Sequence, residues 1–138
     1  VPGRELRSGA NDTLREKIGE DYPRDTFRHE QDLLVTENGK TALFAGCAHC
    51  GIVNILKSAE DVLGRAPNAV FAGFHLYNPS LGKSEPDELV DTVGEKLRGD
   101  KVAHYFTGHC TGKEAYERLK RKLGDRLGEM PAGSDFTV

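Results

Sequence analysis

The sequence predicts an α/β domain built on a mixed, largely parallel sheet, and three observations carry that prediction. From residue 31 onward, short apolar runs alternate with amphipathic stretches of helical period. Such alternation is the pattern of right-handed strand–helix–strand crossovers onto a parallel sheet. The dipeptide Asn38-Gly39 separates "DLLVT" from "TALFA" and favours a two-residue hairpin, so the first strand pair is antiparallel. Repeats and low-complexity tracts are absent from the 138 residues.

Taken in order, the strands of the hairpin fall at about 32–36 and 41–45. Ile52, Ile55, Leu56, Ala59 and Leu63 recur at three- and four-residue spacing and predict a helix over 51–63 that stops near Gly64. "NAVFAGFHL" reads as a buried strand. Ser84 with Asp87 resembles a capping box around Pro86, ahead of the apolar stripe Leu89, Val90, Val93 and Leu97, which runs to Gly99. "KVAHYFTG" is the next strand. Thr111 with Glu114 repeats the capping signature before Ala115, Leu119 and Leu123, with Gly124 as the stop. Residues 134–138 supply a last strand.

A chain of this length buries roughly 68–70% of the surface of its unfolded form, enough for a real core. Composition, at 37% hydrophobic and 30% charged residues, is that of a globular domain. The longest apolar runs fall well short of the ~20 residues of a membrane helix, so a membrane partner is not expected. A net charge of -3 with both signs intermixed offers no basic face for nucleic acid. Three cysteines without a signal-like N-terminus point to a reducing, cytoplasmic setting. Residues 1–30 are polar and carry little apolar periodicity. They read as a leader or a connection within a longer protein, with 31–138 as the folded unit.

Three histidines share one topological place: His49 after "TALFAG", His75 after "NAVFAG" and His109 after "KVAHYFTG". Ligands of open α/β sheets bind outside the carboxyl ends of the strands, and neighbouring strands lie ~4.8 Å apart, so these side chains are candidates to share one ion. Imidazole suits zinc, iron, nickel or copper. A lone histidine at a strand end is more often a hydrogen-bonded loop residue; three in one small sheet shift the balance to a metal site. His104 lies five residues before His109 in the same strand, ~16 Å away towards its other end at ~3.3 Å per residue, and reads as a packing residue. His29 in the leader is given no role.

Cysteines open rival readings. Cys47 and Cys50 form a C-x-x-C between strand and helix, where a helix N-terminus lowers a thiol pKa in redox proteins. Cys47, Cys50, His109 and Cys110 could instead make a structural zinc site, though no second C-x-x-C supports it. The plainest alternative makes Cys47 and Cys110 small buried residues beside the histidines. Backbone N–H groups at Thr111, Gly112 and Lys113, with the Lys113 ammonium, could seat an anion, while Thr111 could equally be only an N-cap.

"EQDLLVTENGKTALFAGCAHCGIVNI", "FAGFHL" and "GHCTG" together resemble the C-terminal half of metallo-β-lactamase-fold, metal-dependent hydrolases, and most nearly the subgroup named for dihydropterin ribofuranosyl-aminobenzene phosphate synthase. The resemblance runs from about Glu30 to Val138. It implies half of an αββα fold, with helices on one face of the sheet, and a metal site for zinc, or iron or manganese. His49 and His109 take the places of two histidine ligands. His75 stands where an aspartate usually bridges two metals, and a neutral imidazole binds one ion through one nitrogen. Cys47 and Cys110 lie behind these ligands.

The main ligand cluster of the family, H-x-H-x-D-H, does not occur in these residues. The expectation is therefore metal-assisted hydrolysis of a phosphorylated or otherwise anionic small molecule by a larger protein, with little turnover from this chain alone. Its partner would be the missing N-terminal half, or a second copy docked through an exposed apolar sheet face. A non-catalytic binding or assembly module is the competing function class.

Overall fold

The computed structural model describes residues 6–138 and, within them, every side chain but that of His109. The hairpin forms as the sequence predicts. Strands β1 (Leu33–Glu37) and β2 (Lys40–Phe44) pair antiparallel, and Asn38 and Gly39 between them both take positive φ, 50° and 78°. Strands β3 (Ala69–Ala72), β6 (His104–Thr107) and β7 (Leu127–Glu129) then add in parallel, giving the order β1-β2-β3-β6-β7. A separate two-stranded ribbon, β4 (Tyr77–Asn78) and β5 (Lys83–Ser84), follows β3.

Three helices cover one face of the sheet. They are α1 (Ile52–Leu63), α2 (Asp87–Gly99) and α3 (Lys113–Leu123), and their apolar stripes meet alternate strand residues in one core. Ile55 and Leu56, Val90, Val93 and Leu97, and Leu119 close over Leu43, Val70, Tyr105 and Leu127. α2 and α3 are further laced by Arg118, whose guanidinium donates to Asp91 at 2.5 and 2.7 Å and to Asp87 at 2.6 Å.

The other face is apolar too. In-register Phe44, Phe71 and Phe106 stack across three strands with ring centroids 4.9 Å apart. Phe136 covers Phe71 and Phe106, at 5.4 and 4.3 Å, whereas Leu33, Val35 and Phe44 keep 59%, 44% and 40% of their surface exposed.

Several expectations are corrected. Residues 134–138 form no strand; the last strand is β7, and beyond the Met130 N–H bonded to the Thr107 carbonyl, Pro131 has no N–H to continue the ladder. Neither capping box forms. Ser84 lies in β5 and Pro86 caps α2; Gly112 caps α3, because the Thr111 hydroxyl is drawn inward by the Phe74 N–H and Thr107. His104 is exposed over the Phe106 ring and is not a packing residue. Among the described residues no helix is long and apolar enough to cross a membrane.

Candidate metal centre

Because β2, β3 and β6 are parallel neighbours, the turns that leave them emerge at one end of the sheet. Bonds from the Ala45 N–H to the Phe71 carbonyl and from the Gly73 N–H to the Gly46 carbonyl hold the first two exits together past the strand ends. The His49 and His75 rings meet there, with centroids 4.0 Å apart. Ala48 and His75 both adopt left-handed backbone, at φ 54° and 48°. That conformation costs a non-glycine residue of order 1–3 kcal/mol and gathers at functional sites.

His75 is only 8% exposed, and its Nε2 is buried with no hydrogen-bond partner among the described residues. Burial, reinforced by His49 next to it, lowers its pKa to about 4, and burial lowers that of His49 as well. Both rings are thus neutral near pH 7, the form in which imidazole binds a metal. A buried polar atom left unpaired costs about 1–3 kcal/mol, and a cation at that nitrogen would satisfy it. Two imidazoles suit zinc, iron, nickel or copper.

The walls of this centre come from the leader, where sequence reasoning placed no function. Glu30 accepts the His49 N–H at 2.6 Å on one carboxylate oxygen and the Cys50 N–H at 2.7 Å on the other. Asn11 touches His49 twice, donating to its carbonyl at 2.8 Å and meeting ring Nδ1 at 2.9 Å. Arg7 donates to the same carbonyl at 3.2 Å and lies over the Phe27 ring. Phe27 in turn stacks on His49. Arg7, Asn11 and Phe27 sit in no periodic pattern or motif, and Glu30, though it opens the stretch "EQDLL", carries no pattern that points to a role, so the sequence did not mark them for the centre.

The predicted ligand His109 lies in a 3₁₀ turn directly after β6, and its side chain is outside the described residues. Among the described residues no third ligand-type side chain joins His49 and His75; the one such trio is Glu16, Asp25 and His29, in the leader. There Asp25 already accepts the Phe27 N–H at 2.7 Å.

The cysteines divide. Cys110 packs its thiol against Gly73 and the Cys47 carbonyl, 3.9 Å away, behind the histidine turns. Cys50 turns towards the Phe27 carbonyl at 3.6 Å. Burial pushes both the Cys50 and Cys110 thiols up to about 11, the reverse of what a redox nucleophile needs. Cys47, Cys50 and Cys110 do not bring three sulfurs to one point, so a zinc site built on the three thiols does not form.

At the proposed anion seat the Thr111 hydroxyl is committed inward, and the exposed Lys113 ammonium lies 3.9 Å from Glu117. Gly112 is tight against Tyr77 at φ 77°. Beside them a cavity of about 500 Å³ opens at the ends of β6 and β7, between Gly108, Tyr116, Glu129 and Met130.

No family model matches the chain. In sequence it is 31% identical over 101 residues to 7,8-dihydropterin-6-methyl-4-(β-D-ribofuranosyl)-aminobenzene-5'-phosphate synthase of Methanocaldococcus jannaschii, a match that takes in 72% of this chain and 32% of that protein. In structure it superposes with a TM-score of 0.77 and 23% identity on a crystal structure titled a metal-dependent hydrolase of the β-lactamase superfamily, covering 94% of this chain and 50% of that one. The chain therefore spans about a third of the curated relative and half of the structural one. Its strand-end histidine turns stand on the fold that their motifs pointed to: the chain folds as half of that β-lactamase-superfamily structure does.

Proposed function

We propose that this chain supplies part of the active site of a metal-dependent hydrolase that acts on a phosphorylated or otherwise anionic small molecule. The observation that carries the reading is the unpaired, buried Nε2 of His75 beside the His49 ring, at the carboxyl ends of adjacent parallel strands. His49 and His75 would hold the ion, with His109 as the third ligand and zinc the best-suited ion, ahead of iron or manganese. A bound divalent ion supplies Lewis-acid polarisation of a phosphoryl or acyl oxygen and a water of lowered pKa. Lys113 and the N–H groups at the start of α3 border the adjoining cavity, where the rest of the substrate would lie. Cys47 and Cys110 hold the turns from behind.

These residues contain no H-x-H-x-D-H, so most of the ligand set and the activation of water would come from elsewhere in the protein, and this chain alone should turn over slowly. The exposed apolar face of Leu33, Val35 and Phe44 would receive a second sheet from the rest of that protein; the structural relative, twice as long as the matched part, has room for one.

Zinc content after dialysis, together with phosphodiesterase and phosphomonoesterase rates, tests the metal reading. We expect the chain to bind zinc weakly, holding it in dialysis buffer that contains zinc and losing it on His75→Ala, with slow hydrolysis of either ester class. Absence of zinc from the unaltered chain, or hydrolysis indifferent to His75→Ala, would overturn it. Native mass tests the face. A defined dimer abolished by Phe44→Lys would favour an assembly module that pairs with its own copy.

A further inference from the structure

The leader does more than cover His49. Asn11 is 2% exposed, and its side-chain amide grips His49 at two points, the carbonyl oxygen at 2.8 Å and ring Nδ1 at 2.9 Å. An amide has one donor end and one acceptor end. The carbonyl can only accept, so the NH₂ end must face it, and Oδ1 is left for the ring. Oδ1 can only accept, so Nδ1 must carry the proton. The alternative flip would set Oδ1 against the His49 carbonyl, two acceptors facing each other at 2.8 Å, and lose that bond. From these contacts we infer that Asn11 is a positioning residue that locks His49 in the Nδ1–H tautomer and so presents Nε2 as its basic, metal-binding nitrogen.

Asn11 is itself held firmly enough to do this. It lies in the 3₁₀ turn Gly9–Thr13, capped by Ser8, whose hydroxyl accepts the Ala10 N–H at 3.1 Å. Glu85 anchors that turn as well, accepting from the Ser8 hydroxyl at 2.6 Å and from the Ala10 N–H at 3.0 Å. The Asn11 carbonyl accepts the Leu14 N–H at 3.1 Å, which closes the turn. Phe27, flat against the ring at 4.5 Å, leaves His49 little freedom to rotate away from Asn11. An imidazole fixed through one nitrogen is oriented, and made more basic, at the other. Residues 7–30 would then be part of the metal centre and not a mere connection.

The last step rests on reading His49 as a metal ligand; the tautomer does not, and the experiment separates them. Nitrogen-15 NMR of the whole, metal-free chain with labelled histidine reads the protonated ring nitrogen of His49 directly. We expect Nδ1–H in the unaltered chain, a shift towards the Nε2–H form favoured in water on Asn11→Ala, and return of Nδ1–H on Asn11→Asp, whose carboxylate still accepts from the ring. Zinc affinity should fall by ~10–100-fold on Asn11→Ala and recover in large part on Asn11→Asp. A simple loss of packing would move stability but would not be rescued in tautomer and affinity together. Finding His49 as Nε2–H in the unaltered chain overturns the inference without any variant having to fold. So does a tautomer unmoved by Asn11→Ala, or zinc bound equally tightly by that variant. Should the unaltered chain bind no zinc while the tautomer behaves as expected, the metal reading fails and the lock on the ring stands.

Discussion

Phe27 lies flat on His49, ring centroids 4.5 Å apart and planes 4° from parallel, and reaches that place through a backbone φ of 55°. A residue of the polar leader thus seals one side of the centre and accepts left-handed strain to do it. Removing a buried phenylalanine costs about 3–5 kcal/mol where the site cannot collapse. Phe27→Ala should lower unfolding stability by ~3 kcal/mol in urea. A loss below ~1 kcal/mol would mean that the ring is not packed.

His75 should make the metal-free chain sensitive to acid. Its folded pKa of about 4 lies below the ordinary 6.5, so between those values the unfolded chain takes up a proton that the folded one refuses. The contribution is whole above pH 6.5 and is lost as pH falls towards 4. Urea midpoints in chelator should drop over that window, and less steeply for His75→Gln. Equal slopes for the two proteins would assign the effect elsewhere.

Thiol chemistry at the C-x-x-C should be sluggish. With Cys50 and Cys110 pushed up to about 11, only about one thiol in a thousand is ionised at pH 8. Alkylation of both in the folded chain should run at least ~10-fold slower than in urea, after allowance for the greater nucleophilicity of a basic thiolate. Insulin reduction should be absent; reductase activity would restore the redox reading. The same raised pKa values favour the folded state up to about pH 9, and that contribution is lost as pH rises towards 11.

Gly73 is required by sulfur. A Cβ at this position would stand 2.1 Å from Cys110 Sγ, far inside contact distance. Gly73→Ala should cost ~1–3 kcal/mol by overpacking and displace the turn that carries His75. Adding Cys110→Ala should recover most of that cost, seen in thermal unfolding of the double variant. Simple additivity of the two changes would place the clash elsewhere.

What the sequence determined by itself was the sheet, the helices and the common strand-end position of the histidines. Asn38-Gly39, the stripes of α1, α2 and α3, and the stops at Gly64 and Gly124 are local signals, set by turn chemistry and by the 3.6-residue period of a half-buried helix. β7 escaped notice because three residues, Leu-Gly-Glu, carry no period and become a strand only when β6 offers its free edge. Only the tertiary structure decided the surroundings of the centre. Asn11, Phe27 and Glu30 act on His49 across 38, 22 and 19 positions of chain, and a polar side chain bears no mark of the partner that folding will bring to it. The same holds for Thr111, whose place before a helix promised a cap. Burial gave its hydroxyl the Phe74 N–H to satisfy instead, because an unpaired amide inside the protein costs more than an uncapped helix end that water can reach.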